Sequence, residues 1–106
     1  MALRDKKCVP CEGGMPPLSK AETKRLLAEV VGWKERDKKL RKTMTFADFR
    51  AAMAFLNRVA GLAESEGHHP DFCVHYNKVD FTLWTHAVKG LSENDFILAA
   101  KIDALR

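Results

Sequence analysis

Apolar positions along this chain follow two periods, and the switches between them outline its architecture. Leu26, Leu27, Val30 and Val31 form a stripe at helical spacing. Ser19 with Glu22 three residues on reads as a capping box, and Gly32 fits a C-terminal cap, so a helix is expected from Ser19 to about Val31. Phe46, Phe49, Met53, Leu56, Val59 or Ala60, and Ala63 recur at the same period over a longer stretch. They predict a helix over Phe46 to Glu66, with Thr45 and Asp48 at its start and Gly67 as its stop. A last helix begins after Lys89-Gly90-Leu91, capped by Ser92 with Asp95 in its first turn. Ile97, Leu98, Ile102 and Leu105 are its inward positions.

Period-two alternation marks Phe72 to Tyr76 and Val79 to Trp84. A two-residue loop at Asn77-Lys78 would pair Tyr76 with Val79, Val74 with Phe81 and Phe72 with Leu83, making one face of the hairpin apolar. Weaker alternation at Trp33 to Arg36 and Leu40 to Thr45 flanks a charged turn, Asp37 to Lys39. The order is α-β-β-α-β-β-α. It predicts an α+β fold, a four-stranded antiparallel sheet with three helices packed on one face. Residues 1–18 hold Pro10, Gly13, Gly14, Pro16 and Pro17 and are expected to form an irregular arm, ordered only if it docks on the body. Residues 19–106 form the single domain.

Composition narrows the function classes. With 106 residues, 46% hydrophobic and 30% charged, the chain is an ordinary globular mix. No apolar run approaches the ~18 residues of a membrane span, and the polar, basic start is followed by no apolar signal core. A soluble, cytoplasmic protein is expected, with the nucleus as an alternative compartment and no membrane partner. The net charge of +4 concentrates in Lys34 to Lys42. Glu35 and Asp37 lie among those cations, so the segment reads as a solvated hairpin, and no direct nucleic-acid partner is expected. Cys8, Cys11 and Cys73 are an odd number, which argues against a complete disulfide framework. Cys8-Val9-Pro10-Cys11 lacks the second pair of ligands that a structural zinc site needs.

The candidate chemistry sits at Gly67-His68-His69-Pro70 and at His86. Imidazoles in separate segments suit acid–base work near neutral pH, since a free imidazole titrates near ~6.5. The register above would set His75 opposite Asp80, Cys73 opposite Thr82 and Asp71 opposite Trp84. Continued to its end, it would set His69 opposite His86. Each residue also has a plainer account. His68 could cap the preceding helix, His75 could form a surface pair with Asp80, and His86 alone could be a surface side chain. Glu64, at i, i+4 from His68, could orient that ring or simply face solvent. Asp95 could be a capping carboxylate and also hold the loop bearing His86. Trp84 could stack on a flat ligand or fill an interface. Zinc held by three histidines is the competing chemistry, but His-His-Pro lacks the one-face spacing of helical zinc sites.

Glu64, His68-His69-Pro70, Tyr76, His86 and Asp95, together with Tyr76-Asn77-Lys78-Val79, Gly90-Leu91-Ser92-Glu93 and the arm from Cys8 to Leu18, resemble the pterin-4a-carbinolamine dehydratase family, also called the dimerisation cofactor of a homeodomain transcription factor. The likeness covers nearly the whole chain. It departs at Phe72, where many members have tryptophan, and at Gly67, where they have asparagine or aspartate. The resemblance implies helices on one face of a four-stranded sheet, assembled into dimers or tetramers. It implies dehydration of a 4a-hydroxytetrahydropterin to a quinonoid dihydropterin, with no metal or organic cofactor. It implies His68 and His86 as the acid–base pair, His69 holding the pterin substrate, and Glu64, Pro70, Asp71, Trp84 and Asp95 in support. Family members in animals also bind a transcription factor, so a protein-partner role is the alternative. The open edges and bare face of the sheet suggest a homo-oligomer independently.

Overall fold

The computed structural model describes residues 2–10, 13 and 15–106. Cys11, and with it one half of the Cys8–Cys11 pair, lies outside the described residues. The order of the main elements is the expected one: α1 (Lys20–Leu27), β1 (Lys34–Arg36), β2 (Lys39–Thr45), α2 (Phe49–Glu66), β3 (Asp71–His75), β4 (Lys78–Leu83) and α3 (Glu93–Leu105). The strands form one antiparallel sheet in the order β1-β2-β4-β3. Leu40, Met44, Val79, Phe81 and Leu83 are buried on its helix-covered face, against Phe55, Val59, Phe96 and Ile102. Among the described residues no helix is long and apolar enough to cross a membrane.

Three boundaries differ from expectation. Helix α1 ends at Leu27, and the chain then tightens, with Glu29 N–H donating to Leu26 O and Val30 N–H to Leu27 O. That turn buries Val30 but leaves Val31 82% exposed, so Val31 does not belong to the inward stripe. Helix α2 starts at Phe49 rather than Phe46 because β2 runs on through Thr45, which pairs with Lys78. Thr45 is therefore a strand residue, and Asp48 alone caps α2, accepting from Ala51 N–H at 2.8 Å. The first hairpin turns on Asp37 and Lys38, both at positive φ, the geometry of a two-residue primed turn.

The second hairpin turns on Tyr76-Asn77, not Asn77-Lys78. Asn77 is pinned from outside, donating its side-chain amide to Phe46 O and accepting from Phe46 N–H at its own carbonyl. Val74 consequently faces Val79 and Phe72 faces Phe81. Each pairing has moved by two residues, and because side chains alternate with period two, every residue keeps its predicted face. Cys73 now opposes Asp80, and Asp71 opposes Thr82. The ladder stops at Asp71, and His86 lies in a 3-10 turn, His86–Val88, so the expected strand pairing of His69 with His86 does not form.

The arm docks on the body. Leu3 and Cys8 are buried, and Cys8 N–H donates to Glu66 Oε1 at 2.8 Å. Asn94 and Val9 exchange two hydrogen bonds between the side-chain amide and the backbone. Glu66 also accepts from Lys101 at 2.8 Å. Burial works against its charge, but the Cys8 amide and Lys101 ammonium outweigh that and hold the Glu66 carboxyl below its usual range. Burial, followed by the charge of Glu66, pushes the Cys8 thiol up to about 12.

Two measurements check this packing. Asp48→Ala should lower the unfolding free energy by about 1 kcal/mol in urea titrations, the usual cost of losing a cap. A raised thiol pKa means almost no thiolate at pH 8. Native-state alkylation read by mass spectrometry should therefore modify exposed Cys73 and spare Cys8 until denaturant is added.

Candidate active site

Gly67 determines where the paired histidines go. It adopts φ +66 at the end of α2, with Gly67 N–H donating to Ala63 O, and this left-handed residue turns the chain off the helix axis. His68 then swings toward α3 rather than lying along α2. Its Nε2 meets Asp95 Oδ1 at 2.6 Å. The His68 side chain is 12% exposed, and that of Asp95 is fully buried. His69 leaves in the other direction, and its Nε2 meets Glu64 Oε2 near the surface, with both side chains well exposed. Glu64 therefore orients His69 and not His68, contrary to the i, i+4 expectation. The left-handed turn breaks the helical spacing on which that expectation rested.

Asp95 is the joint of the site. Its Oδ2 accepts from Ser92 N–H at 3.0 Å, as a helix cap, and from Thr85 Oγ1 at 2.8 Å. A threonine hydroxyl has one proton. Since that proton goes to Asp95, the 2.7 Å contact between Thr85 Oγ1 and Ser92 Oγ is donated by Ser92. Thr85 N–H donates to Gly90 O across the loop that holds His86. One carboxylate thus joins the end of α2, the end of β4 and the start of α3. Both plainer accounts of Asp95, as a cap and as a hold on the His86 loop, are correct, and it contacts His68 as well.

An ionised carboxylate only accepts, so His68 Nε2 carries hydrogen and Nδ1 holds the lone pair of the neutral ring. Among the described residues Nδ1 makes no hydrogen bond, which leaves it for a ligand. His86 is exposed, and its ring lies against Trp84, 3.7 Å between centroids and tilted by 36°. Trp84 in turn donates to Asp71 Oδ2 at 3.3 Å, so Asp71 reaches it diagonally across the hairpin. Pro70 is half-buried at the entry to β3. His75 lies apart from these groups, 3.5 Å from Asp80, whose other oxygen is held by Thr43. Among the described residues no three His, Cys, Asp or Glu side chains are grouped as metal ligands. Thr85 and Ser92 are members that sequence reasoning missed. The available signal was Thr85, a hydroxyl residue closing a strand whose alternate positions are apolar.

The family model for pterin 4 alpha carbinolamine dehydratase matches residues 16–105. This chain belongs to that family. A protein of Nitrosospira multiformis, provisionally named as a pterin-4-alpha-carbinolamine dehydratase, is 50% identical over 103 residues, which span 97% of this chain and 91% of that one. A protein of Rubrobacter xylanophilus with the same provisional name is 46% identical over 104 residues, 97% of both chains. Among solved structures, a transcriptional coactivator/pterin dehydratase from Brucella melitensis superposes with a TM-score of 0.81 at 34% identity, covering 84% of this chain and 97% of that one. A pterin dehydratase-like protein described as a RuBisCO assembly factor in the alpha-carboxysome gives a TM-score of 0.57 at 31% identity, covering 69% of this chain and 84% of that one.

Thr85→Val keeps the shape but leaves buried Asp95 with one fewer donor. It should cost about 1–3 kcal/mol of stability, measured by urea titration beside the wild type.

Proposed function

We propose that this protein dehydrates 4a-hydroxytetrahydropterins to quinonoid dihydropterins, with His68 and His86 as the proton-transfer groups, in the recycling of tetrahydrobiopterin-type cofactors. The observation that carries the reading is the His68–Asp95–Thr85 chain of hydrogen bonds. It orients one imidazole through a buried carboxylate and ties it to the loop bearing another. The reaction breaks a carbon–oxygen bond beside a ring nitrogen. One imidazole gives a proton to the departing hydroxyl, which leaves as water. The other takes the proton from the nitrogen as the carbon–nitrogen double bond forms. No electrons leave the substrate, so histidines suffice, and the two exchange protonation states in each turnover. Asp95 is a positioning residue: it fixes the tautomer of His68 and the direction in which its ring points. His69, aimed by Glu64, helps hold the pterin, and Trp84 with Asp71 and Pro70 shapes the approach to His86.

Two further expectations accompany this reading. Phe72 on β3, an edge strand, and Tyr76 in the turn that follows it are exposed, as self-association of the sheet would require. Phe49 and Met53 on α2 are also exposed. With the coactivator and assembly-factor descriptions of the two solved structures, they favour a protein-binding role as the second reading. The two roles can coexist, because His68 and Asp95 lie at the other end of α2.

Stopped-flow loss of 4a-hydroxypterin absorbance tests the enzyme. Each positioned proton transfer is worth about 100- to 10,000-fold. His68→Ala and His86→Ala should therefore each lose kcat on that scale while circular dichroism stays native. Asp95→Asn should lower kcat more than it raises KM. No acceleration by the wild type would leave the binding role alone.

A further inference from the structure

The bare face of the sheet carries a charge arrangement that neither the core nor the histidine site uses. In the β1–β2 ladder Lys34 stands opposite Arg41, and Arg36 stands opposite Lys39. Leu40, between two of them, is fully buried toward the helices, so these four cations share the opposite face. Directly opposed side chains have Cβ atoms ~4.5–5.5 Å apart, and like charges so placed repel. The two pairs are separated by two residues, ~7 Å along the strands. Among the described residues none of the four has a carboxylate partner. Glu35 faces the other way and accepts from Lys38 N–H. Asp80 is taken by Thr43 and His75, and Asp71 by Trp84. The segment is thus a one-sided cationic ladder rather than the balanced solvated hairpin expected from Glu35 and Asp37.

This ladder adjoins the proposed site. Lys39 Nζ lies 4.6 Å from the centre of the Trp84 ring, and Trp84 lies against His86. A shallow basin of about 630 Å³ crosses the same face, with Lys34, Arg36 and Arg41 on one side and Asp71, His75 and Asp80 on the other, so the anion's place is the cationic side. We propose that the ladder is an anion subsite, and that the substrate is a pterin whose side chain ends in phosphate. The proposal rests on the dehydratase reading and names the substrate class within it. Guanidinium groups match phosphate oxygens bidentately, and lysines add point charge. Nucleic acid is disfavoured on the same face. Of the four cations, Lys39 alone among the described residues lies over an aromatic ring, that of Trp84, whereas strand binders stack successive bases.

Isothermal titration with neopterin and with neopterin monophosphate, at low and high salt, tests the subsite. The wild type should prefer the phosphorylated ligand by about tenfold or more at low salt, and the preference should shrink as salt screens the charges. In the double variant Arg36→Gln/Arg41→Gln the ratio of the two affinities should fall toward one. Equal affinities in the wild type, an unchanged ratio in the variant, or tighter binding of a single-stranded oligonucleotide than of the phosphorylated pterin would each overturn it. Turnover of a 4a-hydroxypterin with an uncharged side chain separates the two claims. Phosphate preference with no turnover of either that compound or its phosphorylated counterpart sinks the dehydratase reading and keeps the subsite, whereas turnover without preference does the reverse.

Discussion

A carboxylate sealed from water is costly unless hydrogen bonds replace its hydration, and the arrangement around Asp95 follows from that requirement. Its two oxygens take a ring N–H from His68, a hydroxyl from Thr85 and a backbone N–H from Ser92. Those donors come from three different segments, 27, 10 and 3 residues away in the chain. Satisfying one buried charge therefore sets the relative positions of the end of α2, the end of β4 and the start of α3. The same charge begins α3 as a cap, so helix initiation and histidine orientation depend on one side chain.

The surrounding structure is stiffened on the far side of this joint. Glu66, two residues before His68, is held by the Cys8 amide and Lys101. Asn94, next to Asp95, is held by Val9. The arm thus spans the same two elements that the His68–Asp95 contact joins. At the other end of α3, Asp103 accepts from Trp33 Nε1 and Lys42, fixing the helix to the start of β1 and to β2. A site made from short hydrogen bonds between different elements needs this kind of support, because small displacements would break it.

Much of the architecture was legible because period and punctuation agree. Ser19, Ser92 and Gly67 mark helix ends for steric and hydrogen-bonding reasons that hold wherever they occur. The second hairpin shows where local signals fail. Nothing in the residues from Phe72 to Trp84 says that Asn77 will be held by Phe46 across the sheet, and that contact sets the turn. The facing pattern survived only because the slip was even. In the site, His68, His86 and Asp95 could be named from residue type and family likeness. Which carboxylate meets which histidine could not, because the left-handed turn at Gly67 reverses the simple helical expectation. Thr85 was missed since its place in the apolar alternation marks a buried hydroxyl without naming its partner, which lies ten residues away.

The family model begins at residue 16, yet the protein's packing does not. Leu3, Cys8 and Val9 lie before that boundary and serve as a hydrophobic plug and a polar latch for α2 and α3. A fragment cut at residue 16 would remove the Val9 and Cys8 backbone groups that Asn94 and Glu66 hold. The arm behaves as a brace, and domain limits drawn by the family model alone would remove it.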